Sequence, residues 1–227
     1  MRYKDLTENI ENLNDILDKI KTECSDICKY YYSGKYFYRG VRKKEMVDQQ
    51  DVFIGKPREN REPLSTSPDE HAFCNKGLSL LGYVVNRSNS IAISPSMEIA
   101  KSYGTPYMIF PKNGFHYSFS RYSDMIHMVV SRNFIRDYIR ENFPEEYNSF
   151  LKYQSHNDLM NILLYKNDYD YIIKDYWCKV FNKSSYIEDN YLDQAIKWNS
   201  EIMISGSEYY AINYKYFNEV YNFFGDV

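Results

Sequence analysis

The order of patterned segments in this 227-residue chain predicts an α+β fold. Three observations carry that prediction. An apolar stripe marks a helix near the start, β-rich runs alternate with helical ones through the middle, and a second β-rich stretch follows a long helical segment near the end. A doubly wound parallel sheet would alternate strand and helix throughout. The length suits one domain with its own core, or one domain with an added helical arm.

Ile10, Leu13, Leu17, Ile20, Cys24 and Ile27 recur at steps of three and four, which predicts one N-terminal amphipathic helix over residues 7–32. Its stripe spans about three heptads, short for a coiled coil, so the helix is expected to pack on its own domain. Residues 1–34 are set apart as a helical arm and 35–227 as the domain proper, with Gly34 between them. "KYFYRGV" (35–41) has the aromatic and β-branched residues of a strand. A polar loop then leads to Ser67, Pro68 and Glu70, which fit the N-cap, first and third positions of a helix closed by a capping box. "YVVNRSNSIAIS" (83–94) predicts a strand, and residues 95–103 a helix. "YMIFPKNGFHYSFS" (107–120) reads as two strands paired across Asn113-Gly114 as a hairpin. Residues 123–182 are mostly helical, within an insert of about 123–198. A β-rich stretch starts after Ser200.

The formal net charge of −3 comes from 28 basic and 31 acidic residues spread along the chain, so no overall field draws it to nucleic acid or an acidic membrane. The 25 tyrosines, beside many Asn, Lys and Ile, carry no functional weight as a group. Cys24, Cys28, Cys74 and Cys178 lack zinc-site spacing and read as reduced thiols; His71, His116, His127 and His156 show no metal-ligand spacing either. No apolar run reaches membrane-spanning length, and the charged start lacks the apolar stretch of a secretory signal. The expectation is an intracellular, cytoplasmic protein with neither membrane nor metal. Walker-type and dinucleotide glycine fingerprints are both missing.

Three short motifs stand out by order and context: Tyr38-Arg39-Gly40 ending an early strand, Ser94-Pro95-Ser96 ending a middle strand before a helix, and Glu201 opening a late strand. Together they resemble the arginine, serine and glutamate signature of the ADP-ribosyltransferase superfamily. "SIAISPSMEIAKSYG" is similar to that family's strand, Ser-x-Ser corner and helix, and "NSEIMISG" to its glutamate strand. The resemblance covers roughly residues 36–215 by scattered motifs. It implies a split mixed or antiparallel sheet flanked by helices, with NAD as substrate in the cleft between the two β parts. It further implies Glu201, Arg39 and Ser94 as the catalytic set. Arg39, Gly40, Ser94, Ser96, Tyr103, Tyr107, Arg61 and Arg87 would contact NAD, with Tyr103 or Tyr107 offering a ring to the nicotinamide. Arg58, Arg61 and Arg87 lie on loops suited to a pyrophosphate. The implied reaction transfers ADP-ribose to a protein or nucleic-acid acceptor. Family members that modify arginine carry a glutamate two residues before the catalytic one; Asn199 stands there in this chain, which argues against an arginine acceptor. The set "YRG", "REPLSTS", "NRSNS", "KSYGTPYMIFP" and "GFHYSFS" also resembles small proteins of tailed bacteriophages, which would suit an activity against host or defence components.

Each motif has an ordinary role to weigh beside that one. Arg39 at a strand end is commonly a surface or ion-paired residue. Ser94 or Ser96 would serve as the N-cap of the following helix. Glu201 has Glu208 as a rival in the same segment. A non-catalytic binding protein on the same fold, or an NAD glycohydrolase with water as acceptor, uses the same residues differently.

Overall fold

In the computed structural model, which describes residues 13–42, 50–60, 67–121, 132–151 and 156–225, the apolar stripe forms two helices, α1 (Leu13–Glu23) and α2 (Ser25–Tyr31). Leu17, Ile20, Cys24 and Ile27 along it are fully buried. The expected single helix breaks at Cys24, whose φ of −125° and ψ of 28° leave the helical region. Asn113 from a distant turn fills the break: its N–H donates to the Glu23 carbonyl at 2.8 Å, and its Oδ1 accepts from the Asp26 N–H at 3.0 Å. One orphan carbonyl of α1 and one orphan N–H of α2 are thereby satisfied.

The next elements are strands β1 (Tyr38–Val41) and β2 (Val52–Gly55), helix α3 (Pro68–Leu80), strand β3 (Ile91–Ile93), helix α4 (Met97–Tyr103), and strands β4 (Thr105–Pro111) and β5 (His116–Phe119). The capping box forms as its residues dictate, with Ser67 Oγ accepting from the Glu70 N–H and the Glu70 carboxylate from the Ser67 N–H. Helices α5 (Arg132–Asn142), α6 (Pro144–Phe150), α7 (His156–Tyr165) and α8 (Asp170–Ser184) follow. The short strand β6 (Ile187–Glu188), helix α9 (Leu192–Trp198), strands β7 (Ile202–Ser205) and β8 (Tyr209–Asn213), and helix α10 (Phe217–Gly225) complete the series.

The fold is α+β, with two four-stranded sheets in which every pairing is antiparallel. Sheet order is β1-β4-β8-β2 in the first and β3-β7-β5-β6 in the second. The expected 107–120 hairpin is therefore not one: β4 and β5 belong to different sheets, and the Asn113-Gly114 turn carries the chain across. β7 and β8 make the reverse passage. β4 pairs with β1 and β8, β5 with β6 and β7, and Asn113 is committed to the α1–α2 break. Lys112 ties the two passages together, with Nζ 2.7 Å from Glu23 Oε2 and 3.1 Å from Glu208 Oε2. The expected strand over 83–94 shrinks to β3 because Asn86 and Asn89 side chains take up the backbone N–H groups of residues 86, 88 and 89.

Two apolar clusters lie on either side of the second sheet. Ile91, Ile93, Phe119, Ile202 and Ile204 face the first, with α1, α2, α9, α10 and the first sheet; Met203 faces the second, with α3, α5, α6, α7 and α8. Strand alternation accounts for the split, since Ile202 and Ile204 share one face and Met203 the other. Tyrosine supplies much of the first cluster. Tyr31 is fully buried, stacked on Phe110 at 4.2 Å between ring centroids, and its hydroxyl lies 2.9 Å from the Ile109 carbonyl. Trp177 of α8 occupies the space beside Gly77 of α3.

Alanine at position 77 would gain about 1 kcal/mol of helix propensity, yet its Cβ would fall 2.0 Å from Trp177 Cδ1. The clash wins: Gly77→Ala is expected to lower the melting temperature, at a net cost of about 1–3 kcal/mol, and an unchanged melt would refute the close approach. Hydrogen bonding to Lys112 holds the Glu23 and Glu208 carboxyls below their ordinary value of 4.5. A depressed carboxyl pKa stabilises the fold above the unfolded value, and that contribution is lost as pH falls through the folded one. Lys112→Met should therefore cost about 1 kcal/mol at pH 7, with the difference from wild type shrinking in melts taken at progressively lower pH through the carboxylate range.

Candidate functional site

Among the described residues, the two sheets meet through one backbone bridge. Tyr38 N–H donates to the Ser94 carbonyl at 2.7 Å and Ser94 N–H to the Tyr38 carbonyl at 2.8 Å. Continued antiparallel pairing would set Gly40 opposite Ala92, but β1 and β3 belong to separate sheets. At that place Arg39 Nη1 donates to the Ala92 carbonyl at 2.9 Å, occupying an acceptor that a ladder bond would otherwise use. Gly40 instead lies against α4: a Cβ there would sit 2.0 Å from the Ala100 carbonyl oxygen and 2.8 Å from Tyr103 Cβ. Its role in the structure is to admit that helix.

The serine corner divides its labour. Ser96 is the N-cap of α4, its Oγ accepting from the Ile99 N–H at 3.3 Å. Ser94, only 4% exposed, accepts the Ser96 N–H on its own hydroxyl at 3.0 Å, so Ser96, rather than Ser94, caps the helix.

Glu201 is placed by register. β3 and β7 pair with Ile93 opposite Ile202 and Ile91 opposite Ile204; the pairing ends there, and the next residues along the two chains are Ser94 and Glu201. On the other flank β5 pairs with Phe119 opposite Ile202, and the next residue after Phe119 is Ser120. Ser200 Oγ donates to the Ser120 carbonyl at 2.6 Å and fixes this end of the sheet. Residues opposite one another share a face, and the strand alternation carried one position past the ladder would put Ser94, Glu201 and Ser120 in phase with Met203. Arg39 of β1, Ser94 directly after β3 and Glu201 directly before β7 thus lie at one end of the second sheet, beside the bridge. Ser120 was not anticipated; its sequence signal is the spacing of Ser118 and Ser120, both buried on one strand face.

The remaining sequence-predicted residues are distributed differently. Tyr107 is 1% exposed, its ring edge-on to Phe53 and its hydroxyl donating to the Gln50 carbonyl at 2.9 Å, which corrects the expectation that it offers a free ring to a ligand. Tyr103 is 53% exposed at the end of α4. Arg58 is exposed, Arg87 is partly buried on the loop before β3, and Arg61, like Ser65, Thr66 and His127, lies outside the described residues. The rival Glu208 is ion-paired with Lys112 and Lys56 at the sheet crossing. Asn199, two residues before Glu201, has φ 52° and terminates α9, a left-handed position that asparagine tolerates.

Among the described residues no group of three His, Cys, Asp or Glu side chains is arranged to hold a metal ion, and no helix is long and apolar enough to cross a membrane. Comparisons with protein-family models, curated proteins and solved structures found no match. The site itself must then carry the functional argument.

Loss of the Ser96 cap should expose the α4 N-terminus: Ser96→Ala is expected to cost about 1 kcal/mol in thermal or urea melts, and a variant as stable as wild type would remove Ser96 from that role.

Proposed function

We propose that this chain is an ADP-ribosyltransferase-type enzyme that cleaves NAD between nicotinamide and ribose and passes ADP-ribose to a macromolecular acceptor other than arginine. The observation that supports it is the gathering of Arg39, Ser94 and Glu201 at one end of the second sheet, next to the Tyr38–Ser94 bridge. These residues, scattered over more than 160 positions of sequence, are the three that the family resemblance selects.

The chemistry accounts for each residue type. When the glycosidic C–N bond breaks, its electron pair leaves with nicotinamide and positive charge develops on the ribose, as in other glycosyl transfers. A carboxylate held beside that sugar stabilises the charge without reorganising, and Glu201 is the carboxylate at the site. Ser94 stands opposite it to orient it by hydrogen bonding. Arg39 spends one N–H on Ala92, and no carboxylate pairs with it among the described residues; its remaining N–H groups suit the forked bonds that phosphate or ribose oxygens accept. The acceptor's nucleophilic atom then bonds to the ribose carbon and loses its proton. Asn199 in place of the arginine-directing glutamate is the reason for excluding an arginine acceptor.

The test follows NAD labelled in its adenylate half, with purified protein and cell lysate, for free nicotinamide and for labelled macromolecules. Glu201→Gln should lower nicotinamide release by about 100-fold or more with the circular dichroism spectrum unchanged, and Arg39→Lys should raise KM more than it lowers kcat. Full activity in Glu201→Gln would refute the assignment, and nicotinamide release without label transfer would make water the acceptor.

A further inference from the structure

Arg87 is a second arginine with no carboxylate paired to it among the described residues. Its Nη1 is buried and makes no hydrogen bond, and no carboxylate lies within ion-pair range of it among the described residues. Its charge reaches the fully buried Cys74 of α3, whose ionisation it favours against the opposing effect of burial. Arginine is seldom drawn into a protein without a counter-charge, and a buried donor without a protein acceptor is uncommon in a native fold.

The loop around Arg87 is held in place with unusual completeness. Asn86 Oδ1 accepts from the N–H groups of Ser88 at 2.8 Å and Asn89 at 3.0 Å, Asn89 Oδ1 accepts from Asn86 N–H at 2.9 Å, and Asn75 Oδ1 accepts from Arg87 N–H at 3.0 Å. That last bond orients the Asn75 amide, so its Nδ2 donates to Ser88 Oγ at 2.7 Å; Ser88 Oγ lies 2.9 Å from His71 Nε2. Every backbone N–H from residue 86 to 89 is thereby committed, and the loop offers a ligand no nest of amides. What the loop carries is one partly buried guanidinium on a hydrogen-bonded backbone, five residues before the Ala92 carbonyl that Arg39 holds.

We propose that Arg87 is the anchor of a phosphate-binding site, taking a phosphate of the bound dinucleotide whose ribose lies at Glu201. A guanidinium meets phosphate oxygens through two parallel charge-assisted hydrogen bonds, which supply both the counter-charge and the missing acceptor. The choice of a dinucleotide as occupant rests on the proposed function, while the phosphate site rests on the unpaired guanidinium.

Titration calorimetry on the full chain, with ADP-ribose, nicotinamide riboside and inorganic phosphate as separate probes, tests this in wild type, Arg87→Gln and Arg87→Lys. Arg87→Gln should weaken ADP-ribose at least tenfold and leave nicotinamide riboside within twofold; Arg87→Lys, which keeps the charge but not the fork, should fall between and serves as the readout should the glutamine variant not fold. Phosphate binding that depends on Arg87, with no preference for ADP-ribose, supports the anchor and identifies free phosphate as its source. Arg87-dependent ADP-ribose binding by a chain that never releases nicotinamide supports the anchor while the enzymatic reading fails. Equal ADP-ribose and phosphate affinities in wild type and both variants, or no binding of either probe to wild type, overturns the proposal.

Discussion

Two backbone hydrogen bonds between Tyr38 and Ser94 set the relation between the sheets on which the rest of the arrangement depends. They join the edge strand of one sheet to the edge strand of the other, and the ladder then stops. An unfinished ladder leaves donors and acceptors exposed along both edges. Here the Ala92 carbonyl is met by the Arg39 side chain, and α4 lies against β1 at Gly40. The same interruption that denies β1 and β3 a longer pairing brings an arginine, a serine and, through the β3–β7 register, a glutamate to one place.

The second sheet can serve as that platform because both of its faces are buried. Isoleucines on one face and Met203 on the other commit its strands to two separate apolar clusters. A slip of one residue would exchange the two sets and put Ser118, which accepts the Tyr186 hydroxyl at 2.7 Å, among the isoleucines. Register is therefore strongly specified, and with it the position of Glu201. The tyrosines do much of the filling, several with a hydroxyl placed on a backbone or side-chain acceptor, which is how so polar a ring is tolerated inside.

Features encoded within a few residues were legible in the sequence. The Ser67–Glu70 capping box, the apolar stripe of Leu17, Ile20, Cys24 and Ile27, and the strand at Ile91–Ile93 all follow from local chemistry. Features decided by distant partners were not. Asn113-Gly114 has the composition of a tight hairpin, yet Asn113 serves the break between α1 and α2 some 90 positions earlier, which no neighbouring residue announces. The break itself coincides with a cysteine whose thiol donates to the Phe110 carbonyl, again a contact from another element. "YVVNRSN" alternates as a strand would, but its asparagines bond their own backbone. The expectations for Arg39, Ser94 and Glu201 came from motifs, whereas Ser120 and the bond from Arg39 to the Ala92 carbonyl needed three dimensions. Tyr107 was misjudged because an aromatic beside a motif looks the same in sequence whether it faces a ligand or the core.

In the proposed function, the helix ending at Asn199 would constrain what the neighbouring carboxylate acts on. Because the backbone there is left-handed, a glutamate at that position would meet a conformational penalty of about 1 kcal/mol or more before touching any acceptor. Retargeting this scaffold towards guanidine groups would consequently demand remodelling of the α9 terminus, with glycine or asparagine shifted along the chain to keep the reversal. Under the proposed function, acceptor choice and chain reversal would be coupled at one residue, so a change in the first would call for insertion or deletion around residues 198–200 rather than single replacements.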